Sequence, residues 1–457
     1  MTGLLSRAAA HLPAAASVRL VHLGLGSFFR AHQAWYSANV PDADTWGIAA
    51  FTGRSTRLAE ALNVQDGLYT LITRSADGDS AQIIPSLSRA HPGSDIAALV
   101  RYLADPAVVV VTLTVTEAGY VRGTDGQLDR FRPDVRTDLA ALRTGTEPLE
   151  LHTIPARLLA GLRSRRAAGA GPLAIVSCDN LPDNGHVIAG VIGDLAELLD
   201  PALGTWIRDN VSFPTTMVDR ITPATTERDL APAAESTGLT DAVPVVTEPF
   251  SEWVLCGNFP AGLPDWGAAG ARFVPDIVPF EERKLWLLNG GHSLLAYAGG
   301  ARGHSTIADA MGDPVCRAWL DQWWDEAQPH LTLPAAENQE YREALVSRFT
   351  NQAIRHLLAQ IAADGSLKIP VRILPVLRRE RKTGRMPQGA IRVISAWMNH
   401  LRGAGVSVDD ATAGLVELAA GPPTEAVPRI LEFLAPDLIA DAGLIVAIRT
   451  TCAELSC

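Results

Sequence analysis

Lysine is nearly absent from this chain. Of its 39 basic residues only Lys284, Lys368 and Lys382 are lysines. An arginine keeps its proton inside a protein, whereas a desolvated lysine can lose it, so a lysine retained at 284 is a candidate for proton chemistry. Cysteine is sparse as well. The five, Cys178, Cys256, Cys316, Cys452 and Cys457, form no C-x-x-C pair. That argues against a disulfide framework, leaves no usual cysteine-based zinc spacing, and points to a reducing cytoplasm. Charged residues make up only 19%, too few for a disordered or coiled-coil chain. The net charge of −11 argues against a free-standing nucleic-acid binder, which would be basic or carry a basic stripe. The one Arg-rich run, Arg378, Arg379, Arg381, Lys382 and Arg385, also holds Glu380 and reads as a solvated helix end. No run reaches about 18 uncharged apolar residues, so no membrane-spanning helix is expected. Arg7, His11 and Pro13 interrupt the alanine-rich start, which therefore lacks the apolar stretch of a signal peptide.

What is present is enough apolar material for two or three domains: 457 residues, 47% of them hydrophobic. The first half alternates short apolar runs with helical patterns. Val18–Leu25, Trp46–Thr52, Ala107–Val115 and Leu173–Ser177 read as buried strands. Phe28–Asn39, Thr56–Val64, Asp95–Leu103 and Ile154–Arg166 read as helices. Near-continuous apolar strands separated by helices predict an α/β fold, a Rossmann-like, doubly wound parallel sheet covered on both faces. From about Phe280 the pattern turns helical, with Glu281–Ala298, Ala308–Ala327, Glu340–Ala363, Ala390–Leu401 and Asp437–Ala453 as candidates. The boundary falls after the Pro/Gly-rich stretch Asn258–Ala271. It separates a dinucleotide-binding domain, 1–278, from a mostly helical substrate and catalytic domain, 279–457.

Gly24-Leu25-Gly26-Ser27-Phe28-Phe29 follows the first strand. Two glycines permit a tight turn and close approach of a pyrophosphate, and the next helix offers its N-terminal N–H groups. The third glycine of the dinucleotide fingerprint is missing, with Phe29 in its place. An acid for the ribose is expected about 20 residues on, but Phe51-Thr52-Gly53-Arg54-Ser55 has none. Arg54 there is either a partner for a 2′-phosphate, which suits NADP, or a surface residue.

The segment Phe280–Ala298 reads FEERKLWLLNGGHSLLAYA. On an α-helix Asn289 lies about 140° and His292 about 80° around from Lys284, one broad face spread over about two turns. That face offers a proton acceptor and two hydrogen-bonding groups to a single hydroxyl.

Here the chain resembles the polyol-specific long-chain dehydrogenases, the family of mannitol 2-dehydrogenase with fructuronate and tagaturonate reductases, over about residues 18–403. Gly24-x-Gly26-x-Phe28-x-Arg30-x-His32 is similar to the family's cofactor loop. Gln65–Tyr69 (QDGLY) and Thr114–Tyr120 (TVTEAGY) are similar to its interior strand motifs. Ser177–Pro182 (SCDNLP) and Phe213–Arg220 (FPTTMVDR) resemble its substrate-side segments, and Lys284-x4-Asn289-x2-His292 its signature helix. The resemblance implies NAD or NADP as cofactor, with Gly24, Gly26, Ser27, Phe28, Arg30, Arg54, Thr114 and Thr116 as its candidate contacts. It implies Lys284 as the general base in alcohol oxidation, Asn180 and Asn289 as hydrogen-bond partners of the reacting oxygen, His292 as the group that orients or polarises it, and Asp219 as a contact to the substrate chain. It implies no metal.

Asn351–His356, followed by Gln360–Ala362, Asp364–Ser366 and Lys368–Pro370, resembles the fructuronate reductase branch more than the mannitol dehydrogenases. The expected substrate is thus a small polyol or sugar acid, of the D-mannonate/D-fructuronate type, with mannitol/fructose or another hexitol as the alternative. Arg355, His356, Lys368 and Arg372 are its candidate contacts, the cations as partners for a carboxylate or as members of structural ion pairs. A sugar-phosphate dehydrogenase and a non-catalytic nucleotide sensor on the same scaffold are the other readings. Neither a nucleic-acid nor a membrane partner is expected, and the sequence is silent on oligomeric state.

Overall fold

The computed structural model describes residues 3–53, 55–123, 125–145 and 149–455. It divides into two compact units, Met1–Ile277 and Val278–Cys457. Among the described residues no helix is long and apolar enough to cross a membrane.

The first unit is built on a six-stranded sheet whose strands are all parallel. Across the sheet they run Leu87–His91, Gly47–Phe51, Val18–Leu23, Val110–Leu113, Leu173–Ser177 and Val211–Ser212. Numbered along the chain, this is the 3-2-1-4-5-6 order of a doubly wound fold. Successive side chains on a strand point to opposite faces, and the burial shows both faces in use. Val21, Leu23, Ala49, Phe51, Val111, Leu113 and Ile175 enter one apolar cluster, with helices Ile96–Ala104, Ile154–Ala168 and Asn184–Leu199. Leu20, Ile48, Ala50, Val110, Ala174 and Val176 enter the other, with Phe29, Tyr36, Trp253 and Trp266. Two-sided burial is why these strands read as unbroken apolar runs. The expected α/β, doubly wound class is the observed one.

At the Leu87–His91 edge the chain's first turn is pinned down. The Arg7 guanidinium donates to the carbonyls of Pro13, Pro85, Leu87 and Asp66, and its backbone N–H to the Asp66 carboxylate. Gly67, at φ +79°, lies against Leu87, where an added Cβ would come within 2.4 Å of the carbonyl oxygen. The Gln65–Tyr69 motif is therefore a structural corner.

The second unit is helical, with no strand among its described residues. Its Gln388–Leu401 helix is buried all round except at Arg392 and the first residue, as a central core helix is. Pro314–Ala327, Ala335–Thr350, Pro423–Leu434 and Ala442–Glu454 are among the helices that complete the unit. Two expected long helices are interrupted. Ala308–Ala327 breaks at Asp313, which caps the helix begun by Pro314 by accepting from the Val315 N–H at 2.8 Å. Glu340–Ala363 stops at Thr350 and resumes only at Leu358, because the chain between is tied to another segment. Ile307 N–H donates to the His356 carbonyl and Leu358 N–H to that of Ser305. The basic run ends the Leu374–Lys382 helix and is ion-paired, Arg378 to Asp437, Arg379 to Glu282, Arg381 to Asp441 and Arg385 to Glu380.

Candidate active site

In the first unit the order of strands reverses between Val18–Leu23 and Val110–Leu113, which are neighbours. Doubly wound folds bind ligands beyond the carboxyl ends of strands at such a point. Here those ends carry Gly24–Phe28 and Thr114–Thr116. Gly24 has φ +110°, and an added Cβ would lie 2.2 Å from the Thr114 carbonyl oxygen. Glycine is needed there by the protein itself. An added Cβ at Gly26 meets only the Gly24 carbonyl, at 3.6 Å, so the space in front of Gly26 is open. A glycine that packing does not require, at the switch point of such a sheet, fits the approach of a pyrophosphate.

The residues beneath this loop are committed to holding it. Thr114 Oγ1 donates to the Gly24 carbonyl at 2.8 Å and lies 3.0 Å from His22 Nε2, while His22 Nδ1 meets Thr112 Oγ1 at 2.8 Å. His22 is fully buried and stacks on Phe29, and burial pushes its pKa down to about 3. Arg30, expected at the pyrophosphate, is turned inward. Its Nε donates to the Gly26 carbonyl at 3.2 Å and its Nη1 to that of Val243 at 2.5 Å. Arg220, next to Asp219, is a second strut, donating to the Ala31 and Glu248 carbonyls. Burial lowers both arginines to about 10, so both remain cations near neutral pH. Of the other expected contacts, Ser27 and Phe28 are partly exposed, Thr116 and Asn180 are exposed, and Asp219 is buried at the end of the Thr215–Asp219 strand. Arg54 lies outside the described residues.

In the second unit the segment with Lys284, Asn289 and His292 departs from an α-helix. Val278–Arg283 is α-helical, Lys284–Asn289 is π-helical, Gly290–Leu294 returns to α, and Leu295–Gly299 is again π. The Gly290 N–H reaches the Leu285 carbonyl, five residues back. One extra residue in a turn takes up about 100° of rotation. Relative to Lys284, Asn289 then lies at about 40° rather than about 140°, and His292 at about −20° rather than about 80°. The broad face expected from a regular helix thus contracts to a narrow stripe. π-turns inside helices recur at functional sites.

Lys284 and His292 are each only 6% exposed. The His292 ring stacks on Phe349, with centroids 4.5 Å apart, and meets His356 edge-on at 4.9 Å. His292 Nε2 and His356 Nδ1 are buried with no hydrogen-bond partner among the described residues. Burial, then the cations and imidazole nearby (His356, Arg348 and Arg372), hold His292 well below its ordinary pKa. Burial and Arg348 take His356 down to about 4. Both imidazoles are neutral at pH 7, and each presents an unsatisfied ring nitrogen.

The expected carboxylate partners separate. Arg372 reaches this helix, with Nη1 3.2 Å from Ser293 Oγ and 3.4 Å from the Asn289 carbonyl. Lys368 instead donates to the Ile361 and Ala363 carbonyls at the end of the Leu358–Ala362 helix, and Arg355 is exposed. Arg348 was missed. It lies on the buried stripe Tyr341, Leu345, Arg348, Phe349, and an arginine within an apolar helical period was the available signal.

One His/Asp/Cys group lies among the described residues: His304, Asp313 and Cys316, with candidate ligand atoms within 4.8 Å of one another. Asp313 accepts from Arg302 Nε at 2.6 Å, His304 Nε2 at 3.0 Å and the Val315 N–H. Burial, then Asp313, pushes the Cys316 thiol up to about 12. A carboxylate taken by an arginine and a helix start, beside a thiol that resists ionisation, is a helix cap in form.

Residues 18–268 match the mannitol dehydrogenase Rossmann domain, and residues 276–444 match the mannitol dehydrogenase C-terminal domain. The chain belongs to the mannitol dehydrogenase family. D-mannonate oxidoreductase of Escherichia coli is 39% identical over 396 residues, 84% of this chain and 80% of that protein. Mannitol 2-dehydrogenase of Cereibacter sphaeroides is 37% identical over 394 residues, 84% of this chain and 81% of that one. Mannitol 2-dehydrogenase of Pseudomonas fluorescens, solved as a ternary complex with NAD and D-mannitol, superimposes with a TM-score of 0.84. It is 33% identical, over 96% of this chain and 92% of that one. As a member of the mannitol dehydrogenase family this chain is an oxidoreductase of polyols or aldonates.

Proposed function

We propose that the protein interconverts a hexonate of the D-mannonate type and its keto acid, using NAD or NADP. The observation that carries this reading is the Lys284–Asn289–His292 stripe with Arg348 and Arg372 beside it. A nicotinamide dinucleotide held over Gly24 and Gly26 would supply the hydride acceptor. The chain's own task is the proton and the oxygen. Lys284 Nζ takes the hydroxyl proton as the carbon–hydrogen bond breaks, and returns one in the reverse direction. Asn180 and Asn289 donate amide hydrogens to the oxygen as its negative charge develops. His292, neutral and with Nε2 unsatisfied, orients that oxygen without competing for the proton. Asp219 contacts the remaining hydroxyls. Gly24 and Gly26 form the floor of the nucleotide site, supported by Thr114, His22 and Arg30.

A substrate carboxylate beside Arg348 and Arg372 would accept charge-assisted hydrogen bonds from a guanidinium, which a neutral polyol has no charge to match. This favours a sugar acid over mannitol. The test is kcat/KM for D-mannonate, D-mannitol and a hexitol phosphate, measured by cofactor absorbance on the wild-type protein and on Arg372→Gln and Arg348→Met. The expected result is a preference for the acid that each substitution reduces. Equal loss for mannitol and mannonate would remove the carboxylate role, and preference for the phosphate ester would replace the substrate. NAD against NADP is decided by titrating both with wild type and Arg54→Ala.

A further inference from the structure

A π-turn passes over a hydrogen bond that an α-helix would make, and the carbonyl left behind needs a donor. Here the Gly290 N–H goes to Leu285 and Leu287, with the Trp286 carbonyl between them. The Trp323 indole N–H donates to the Trp286 carbonyl at 2.8 Å, and the adjacent Trp324 indole N–H to the Leu287 carbonyl at 2.9 Å. Both indoles are fully buried. They reach the backbone because the residues after Asn289 are glycines. An added Cβ would lie 2.7 Å from the Trp323 ring at Gly290 and 2.9 Å from Leu320 at Gly291. The tryptophans are themselves fixed, since Glu326 on their helix accepts from the Gly389 and Ala390 N–H groups that begin the central helix.

We propose that Trp323 and Trp324 are positioning residues: their indole N–H groups hold the Lys284–Asn289 turn in its π form, and so keep Lys284, Asn289 and His292 in one stripe. The inference rests on the reading of Lys284 as the base. Without the two donors the turn relaxes towards α-geometry, which would rotate Asn289 and His292 about 100° from Lys284. The sequence bears the same mark, because Asn-Gly-Gly-His supplies the two positions at which an indole can touch the backbone.

The experiment removes the donor and keeps the shape. Trp323 is replaced by phenylalanine and, by genetic incorporation, with β-(3-benzothienyl)alanine, which has the indole's outline with sulfur in place of N–H. The expected result in the benzothienyl protein is a fall in kcat of at least tenfold with cofactor affinity unchanged. The pH dependence of kcat should shift as well, and deuterium exchange should quicken at the Gly290–His292 amides. Normal kcat and pH profile per folded molecule, with only a lowered melting temperature, would reduce the pair to packing and overturn the proposal. If the phenylalanine variant does not fold, the benzothienyl protein decides alone. Lys284→Ala, assayed alongside, separates the two claims. Retained turnover there sinks the base assignment, while amide exchange still reports whether the indoles hold the turn.

Discussion

Gly26 in the first unit and Gly290 in the second both stand where a helical segment begins beside candidate chemistry. A Cβ added at Gly26 would meet no atom nearer than 3.6 Å, whereas at Gly290 it would strike the Trp323 ring at 2.7 Å. The first glycine leaves room for something that is not protein; the second is filled by the protein itself. Around Gly26 the surface is open. Around Gly290 is a packed interior whose helix is held off its regular course by its neighbours. The same residue type therefore predicts opposite consequences for substitution.

The largest effect is expected at the stripe. Lys284→Ala should lower turnover by about 10²–10⁴-fold and leave cofactor binding in the first unit nearly intact, as measured by steady-state rates and direct titration. Lys284→Arg should be almost as damaging, because a guanidinium keeps the charge and cannot accept the proton. Near-normal rates with arginine would make Lys284 an electrostatic anchor.

Gly290→Ala should come next, destabilising the fold by about 1–3 kcal/mol through overpacking, read from denaturant midpoints, and lowering kcat as well. Gly26→Val is the counterpart. It should weaken cofactor binding at least tenfold, about 1.4 kcal/mol, with an almost unchanged unfolding midpoint. If Gly26→Val unfolds the protein, or Gly290→Ala leaves stability untouched, the contrast between the two glycines is broken.

The last effect is silent at neutral pH and concerns acid. An unfolded imidazole titrates near 6.5, whereas folded His356 titrates at about 4 and His22 at about 3. As pH falls from about 6.5 towards those values, the unfolded chain binds protons that the folded one does not, so stability is full above about pH 6.5 and declines below it. His356→Gln should flatten part of that decline in unfolding midpoints measured from pH 7 to 4. An unchanged slope would mean that His356 is accessible to protons in the fold.

The sequence showed those parts of the fold whose cause is local. The strands at Val18, Gly47, Val110 and Leu173 are buried on both faces and so carry continuous apolar runs. Val211–Ser212, only two residues long, and Leu87–His91, with Ser88, Arg89 and His91 in it, carry no such run. The cofactor loop was legible because its glycines follow a strand; that Arg30 turns inward was not, since its partner is the Val243 carbonyl, 213 residues away. Lys284, Asn289 and His292 could be read as a group. Their alignment could not, because the π-turn depends on indoles 37 residues further on and leaves no period of its own.

Arg7 bears on the exposed side of the large sheet. Leu87–His91 is the outermost strand of the large sheet, and an open edge is a template on which a strand of another molecule can pair. By engaging the Pro85 and Leu87 carbonyls, the Arg7 guanidinium occupies acceptors at the start of that edge and sets a positive charge beside them. A strand added at that edge would therefore have to displace Arg7 from these carbonyls before it could pair there.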